Sequence, residues 1–238
     1  MANAEMSLPS LLVSDLGTMP YAAALELQRD VARRRISGEI DQDVLLLVEH
    51  PHVVTLGRAA KQASLVATPE LLRARGVEVF EVERGGDVTY HGPGQLVGYP
   101  ILDLKRHRKD LHWYLRQVEE SLIVALGSFG ISAGRNPGYT GVWVSAEGDA
   151  WRRKIASIGV HARDWVTWHG FALNVHTDLS FFDLMVPCGI TGVQMTSVAA
   201  ELAPQGVGPS DVRQAIAGAF GRVFELAPVI VPAGDFPR

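Results

Sequence analysis

The longest uninterrupted apolar runs in this chain are the length of a β-strand. Val44-Leu45-Leu46-Leu47-Val48 is typical of them. No stretch approaches the ~18 apolar residues a membrane-spanning helix needs. Met1 to Ser14 shows no basic region followed by an apolar one, so no signal peptide is read there. The expectation is a cytoplasmic protein without a membrane partner. With 238 residues, 47% of them hydrophobic and 20% charged, the chain is long enough to bury a core without disulfides or metal. Its single cysteine, Cys188, excludes an internal disulfide and fits a reducing compartment. A net charge of −4 argues against non-specific nucleic-acid binding.

Helical and strand patterns mix without regular alternation. Tyr21 to Ile36 reads as an amphipathic helix. Val44 to Glu49 and Val53 to Leu56 read as strands around the His50-Pro51-His52 break. Thr68-Pro69 opens a short helix closed by Gly76, and Val77 to Val82 returns as a strand. Arg84 to Gly98 reads as an ordered loop leading into a strand at about Leu96 to Leu104. Asp110 caps a helix to about Gly130. Gly141 to Val144 is a short strand, followed by a polar turn from Ser145 to Arg153. Ile155 to Ala162 and Val166 to Val175 pair as strands. Asp178 starts a short helix through Met185, and Pro187 then presents Cys188. Ser210 caps a last helix, Asp211 to Leu226, before a Pro-rich tail, residues 227–238. This pattern predicts an α/β fold of the α+β type: one domain over 1–238, a mixed sheet with packed helices, and a motif-bearing core at about 44–202.

Three segments can carry chemistry. The first is the glycine-rich run Arg84 to Gln95. Its paired glycines admit close backbone approach, but it has neither Walker A nor Rossmann spacing. The second is Lys154, which opens an apolar strand directly after a polar turn. The third is Trp168 to Val175. Small residues Ala156, Gly159, Gly170 and Ala172 on neighbouring strands either leave a groove for a ligand chain or let backbones pack closely. Cys188 in a Pro-Cys-Gly turn is either a small buried hydrophobe or a nucleophile. His91, His161, His169 and His176 lack zinc spacing, so no metal is expected. The basic clusters Arg33 to Arg35, Lys105 to Lys109 and Arg152 to Lys154 are solvated faces or docking patches for an acidic protein.

Together, LLLVEHPHVVTLGR, RGGDVTYHGPGQLVGYPILDL, KIASIGVHARDWVTWHGFALNV and FDLMVPCGI, spread over Val44 to Leu202, resemble the lipoyl(octanoyl) transferases. The resemblance implies a fold related to the catalytic domain of biotin and lipoate protein ligases. It implies transfer of an octanoyl group from octanoyl-acyl carrier protein to a lysine of a lipoyl domain. Acceptors would be 2-oxoacid dehydrogenase complexes and the glycine cleavage H protein. It assigns Cys188 as nucleophile and Lys154 as its activating partner. Arg84, Gly85, Gly86, Asp87, Val88, Thr89, Tyr90 and His91 would line the acyl site, together with Ser157, Ile158, Gly159, Gly170, Phe171 and Ala172. It assigns no role to His161 or to the Ser145 to Arg153 turn.

The chemistry suits these residue types. Exchange of one thioester for another is nearly isoenergetic, and aminolysis to an amide is downhill, so no cofactor and no ATP are required. A nearby ammonium favours a thiolate. An acceptor lysine near pKa 10.4 benefits from a base. Six buried methylenes contribute roughly 5 kcal/mol. Three rival readings remain at this point: an ATP-dependent ligase on the same fold, a non-catalytic binding module, and a thiol hydrolase.

Overall fold

The computed structural model describes residues 7–145, 153–185 and 193–236. Cys188 lies outside the described residues, as does most of the Ser145 to Arg153 turn. In chain order the elements are β1 (Ser10–Thr18), α1 (Tyr21–Ser37), β2 (Asp43–Glu49), β3 (Val53–Leu56), α2 (Pro69–Ala74), β4 (Glu78–Glu81), β5 (Val88–His91), β6 (Gln95–Ile101), α3 (Leu111–Gly127), β7 (Ala133–Asn136), β8 (Tyr139–Val144), β9 (Arg153–Arg163), β10 (Val166–Asn174), β11 (Gln194–Met195), α4 (Val198–Glu201), α5 (Pro209–Phe224) and β12 (Ala227–Ile230). Short 3₁₀ turns occupy Gln62–Ser64 and Leu179–Leu184.

Among the described residues, one mixed sheet runs β12-β1-β2-β6-β10-β9-β8-β7, with β11 added beside β9. A smaller sheet, β4-β3-β5, stands apart from it. The mixed sheet with packed helices is as the sequence indicates. The apolar run in β2 explains its central place, because both of its faces are covered. Val44, Leu46 and Val48 pack with Ala24, Val31 and Ala32 of α1, while Leu45 and Leu47 join Tyr114, Val118, Ile216 and Phe220 of α3 and α5. A strand buried on both sides carries apolar residues at every position instead of alternating.

Local signals set several boundaries. Thr68 Oγ1 accepts from Leu71 N–H at 3.3 Å with Pro69 at the first helical position. Asp110 Oδ1 accepts from the His112 and Trp113 amides. These cap groups satisfy amides that have no partner within the helix.

Four readings are corrected. Residues 84–98 are not one loop: β5 spans Val88–His91 and pairs with β3. The last helix begins at Pro209 behind Gly208, so Ser210 is not its cap. The tail holds a strand, β12, which pairs in parallel with β1, itself unrecognised in the sequence. β7 is a further unrecognised strand, paired antiparallel with β8. No described helix is long and apolar enough to cross a membrane.

Candidate active site

The glycine-rich segment is held by backbone bonds on two sides. Gly57, Arg58 and Ala59 donate to the carbonyls of Asp87, Arg84 and Gly86, each at 3.0 Å. Gly85 N–H donates to Val160 O of β9 at 2.9 Å. A Cβ at Gly159 would fall 2.8 Å from Gly85 O, so glycine there lets the loop lie on the strand. Gly86 adopts a left-handed φ of 87° that favours glycine. Arg84 turns inward, donating from Nε to Thr55 Oγ1 at 3.2 Å and from Nη2 to Thr55 O at 2.6 Å. Asp87 accepts from Ser64 Oγ at 2.8 Å and from Val88 N–H.

Between this loop, α1 and strands β6, β10 and β9 lies a cavity of about 650 Å³. That lies within the range of small-ligand sites. Of the residues expected to form an acyl site, Arg84, Gly86, Asp87, Val88, Thr89, His91, Ser157, Ile158, Gly159, Gly170, Phe171 and Ala172 line it, as does Lys154. Gly85 and Tyr90 do not. Gly85 is spent on the β9 contact. Tyr90 belongs to the core under the small sheet, its hydroxyl 2.7 Å from His52 Nδ1 and its ring stacked on Phe181. Ala156 is also core, whereas Gly159 and Gly170 face each other across β9 and β10. A Cβ on Gly170 would strike Gly98 O and Pro100, so both readings of the small residues hold: backbones pack closely and the same gap opens the cavity.

Lys154 is 2% exposed although it is a lysine. Its Nζ lies 5.3 Å from the Trp143 ring centroid, within cation–π range. Gly141, at φ 133°, makes room for it: a Cβ there would come 2.7 Å from Lys154 Cε. Glu119 holds that glycine in place. This fully buried carboxylate accepts from Gly141 N–H at 3.1 Å, from Arg116 at 2.6 Å and from Arg135 at 3.1 Å. The chain beyond Cys188, from Gln194 on, is stitched to the same strand. Met195 pairs with Lys154, Thr196 N–H donates to Lys154 O at 2.9 Å, and Asn174 Nδ2 donates to Thr196 O at 3.0 Å.

The opposite end of the cavity is built from residues the sequence reading did not bring together: Tyr21 from α1, Tyr99 from β6, and His169 from β10 beside His91. No local pattern marks Tyr21, which is far from every motif in sequence. Hydrogen bonds set the tautomers. His50 Nδ1 must donate to Met19 O at 2.7 Å, so its Nε2 accepts from the Tyr99 hydroxyl at 2.7 Å. Gln95 Nε2 donates to Tyr90 O and Asn174 Oδ1, which leaves its Oε1 to accept from His91 Nδ1 at 2.8 Å. His91 Nε2 is therefore an acceptor.

Burial keeps these groups neutral. Desolvation lowers His50 to about 4 and His91 to about 3, and raises Tyr21 to about 12. It also lowers His169. Glu83 is held well below the carboxylate range, first by His169 3.8 Å away, against the effect of burial, and then by Arg29 and Trp168.

The remaining histidines and basic clusters are placed elsewhere. His161 packs edge-on to Trp168, and His176 Nε2 sits 3.2 Å from Val207 O. In the Lys105 to Lys109 cluster, Arg106 pairs with Asp41, His107 with Asp43, Lys105 with Asp103 and Arg108 with Asp110. Arg153 pairs with Glu201 at 3.3 Å. Arg35 is buried against Asp43 at 3.1 Å.

The family model for the lipoyl protein ligase A/B catalytic domain matches residues 20–221. An octanoyltransferase of Myxococcus xanthus is 48% identical over 94% of this chain, which spans 62% of that relative's length. An octanoyltransferase of Solibacter usitatus is 54% identical over 78% of this chain and 80% of its own. A bi-partite lipoate protein ligase from Thermoplasma acidophilum superimposes with a TM-score of 0.71 at 18% identity, covering 95% of this chain and 87% of that one. At that identity the likeness speaks for the fold alone. The chain belongs to the lipoyl protein ligase A/B catalytic-domain family and, within it, groups with the octanoyltransferases, which are acyltransferases.

Proposed function

We propose that the chain moves an octanoyl group from octanoyl-acyl carrier protein to a lysine of lipoyl domains, through a thioester on Cys188, in the cytoplasm. One catalytic domain spanning 1–238 carries the reaction. The observation that supports this most directly is a buried lysine, Lys154, at one end of a cavity whose walls include Val97, Ile158, Phe171 and Ala172. That lining suits an alkyl chain. A few residues beyond Cys188 in sequence, Gln194 and Met195 pair with Lys154's own strand, which favours bringing thiol and amine together.

The steps balance with one lysine and one thiol. Lys154 Nζ takes the Cys188 proton, and the thiolate attacks the octanoyl carbonyl carbon of the donor thioester. The bond to the donor sulfur breaks, and Lys154 returns its proton to that departing thiolate. The acceptor lysine amine then attacks the Cys188 thioester. Lys154 takes the amine's proton as the amide forms, and Cys188 leaves as thiolate. The acceptors on this reading are lipoyl domains of 2-oxoacid dehydrogenase complexes and the glycine cleavage H protein. The reading needs no cofactor.

Intact-mass spectrometry after mixing with octanoyl-acyl carrier protein tests the reading. It expects one octanoyl adduct, labile to hydroxylamine and absent in Cys188→Ser. No adduct in a single turnover would overturn it. Formation of octanoyl-adenylate from ATP and free octanoate would favour the ligase alternative.

A further inference from the structure

The cavity has two chemically different ends. Lys154 marks one. His169 marks the other, and it pairs with Val160, six residues along β9 from Lys154. That separation is about 20 Å at ~3.3 Å per residue. Between them the lining includes Val97, Ile158, Phe171 and Ala172 beside Ser157 and Arg84, and the far wall is polar. There the Tyr21 ring stacks on the His91 ring with centroids 6.0 Å apart, and His169 stands beside them in the lining.

Each of these three side chains carries hydrogen-bonding capacity that the described residues leave unused. His169 is 2% exposed, and its Nε2 has no hydrogen bond among them, with Glu83 Oε1 at 3.8 Å. His91 Nδ1 is committed to Gln95, which leaves the Nε2 lone pair. No described residue hydrogen-bonds the Tyr21 hydroxyl. Tyr99, by contrast, spends its proton on His50.

We propose that this wall ends the acyl slot by chemistry and not by shape: Tyr21, His91 and His169 reject apolar carbon pressed against them, and accept a chain that ends at that depth in a hydrogen-bonding group. The substrate class this adds is the long ω-hydroxyacyl thioester. The inference rests on the octanoyl-transfer reading, which places the thioester carbon at the Lys154 end.

Chain lengths fit the distances. An extended alkyl chain advances roughly 1.3 Å per carbon–carbon bond, from bonds of ~1.5 Å. Eight carbons then span about 9 Å and stop short of that wall. Twelve span about 14 Å, and the wall's own side chains reach several ångströms inward, so the last methylenes of a dodecanoyl chain meet the polar tips. Burying such a group without a partner costs roughly 5- to 100-fold in affinity per group. A terminal hydroxyl in the same place is both donor and acceptor and removes that cost.

The test uses acyl carrier protein loaded with octanoyl, dodecanoyl or 12-hydroxydodecanoyl groups, a lipoyl domain as acceptor, and kcat/KM for each. The wild-type protein is expected to disfavour dodecanoyl at least tenfold relative to octanoyl. It is expected to transfer 12-hydroxydodecanoyl at least fivefold better than dodecanoyl. Tyr21→Phe keeps the ring stack and removes one polar tip. It is expected to raise the dodecanoyl-to-octanoyl ratio about fivefold and to shrink the hydroxyl's advantage. Ratios within one preparation do not depend on the fraction folded. Equal rejection of dodecanoyl and 12-hydroxydodecanoyl, with no change in Tyr21→Phe, would show a steric end and overturn the proposal. Dodecanoyl handled as well as octanoyl would overturn it too. Failure to transfer octanoyl at all would instead refute the transferase reading on which it stands.

Discussion

Gly141→Ala tests whether the placement of Lys154 depends on the β8 backbone. Gly141 has φ 133°, and an added Cβ would lie 2.7 Å from Ala156 O and 2.7 Å from Lys154 Cε. Ordinary contact begins near 3.4 Å, so something must move by about 0.7 Å. Ala156 O belongs to the β8–β9 pairing, where Val142 faces Ala156, so the lysine stem yields more readily than the sheet. The backbone conformation costs an alanine about 1–3 kcal/mol, and overpacking adds about 1–3 kcal/mol. A central value of ~3 kcal/mol lowers Tm by roughly 6–12 °C in a chain of this size. The activity effect is separate: a misplacement of ~1 Å in a reacting group costs on the order of 100-fold. Gly38→Ala is the control, because Gly38 also has a positive φ, 83°, but nothing lies within 4 Å of its added Cβ. It should cost only about 1–2 kcal/mol and leave acylation untouched. Thermal unfolding and single-turnover acylation followed by intact mass read the two effects. If Gly141→Ala acylated at the rate of Gly38→Ala, the close contact with Lys154 would have no bearing on catalysis.

Lys154→Ala should slow acylation by about 10²–10⁴-fold in the same mass assay, the usual contribution of a positioned proton carrier. Glu119→Ala should destabilise by about 1–3 kcal/mol in urea unfolding, since it leaves the buried Gly141 amide without its acceptor while the half-exposed Arg116 and Arg135 turn to solvent; Glu119→Gln should cost less. Stability should fall on acidification from pH 7 to 5. His50 and His91 have folded pKa values of about 4 and about 3, below the ~6.5 of an unfolded chain, so in that window the unfolded state binds more protons. The loss is about 2 kcal/mol per histidine at pH 5, and flat stability from pH 7 to 5 would contradict neutral burial of the pair.

What the sequence reveals here is what depends on neighbours along the chain. The β2 run, the Thr68 and Asp110 caps and the glycine-rich loop each act over a few residues, so composition and spacing expose them. β5 is hidden for the same reason, since glycines on both sides make Val88–His91 look like loop, and only pairing with β3 makes it a strand. β12 is hidden because its partner is β1, with Ser10 against Ala227, a pairing more than two hundred residues apart in the chain, and β1 lies between β12 and β2. The Lys154 end of the cavity follows this division. Lys154 stands out locally as a lysine opening an apolar strand, and resemblance supplies its role. The far wall does not stand out, because a buried histidine and a tyrosine become unusual only once burial strips them of water and of partners. His169 makes the point most sharply. Its φ of 55° inside β10 and its amide bond to Gln28 Oε1 at 3.0 Å are set by α1 lying across the strand. Tyr21, at the first turn of that same helix, is brought to the wall by the same packing. Docking of α1 on the sheet therefore builds the polar end of the cavity, and changes that shift α1 should alter which chains are accepted before they alter the Lys154 end.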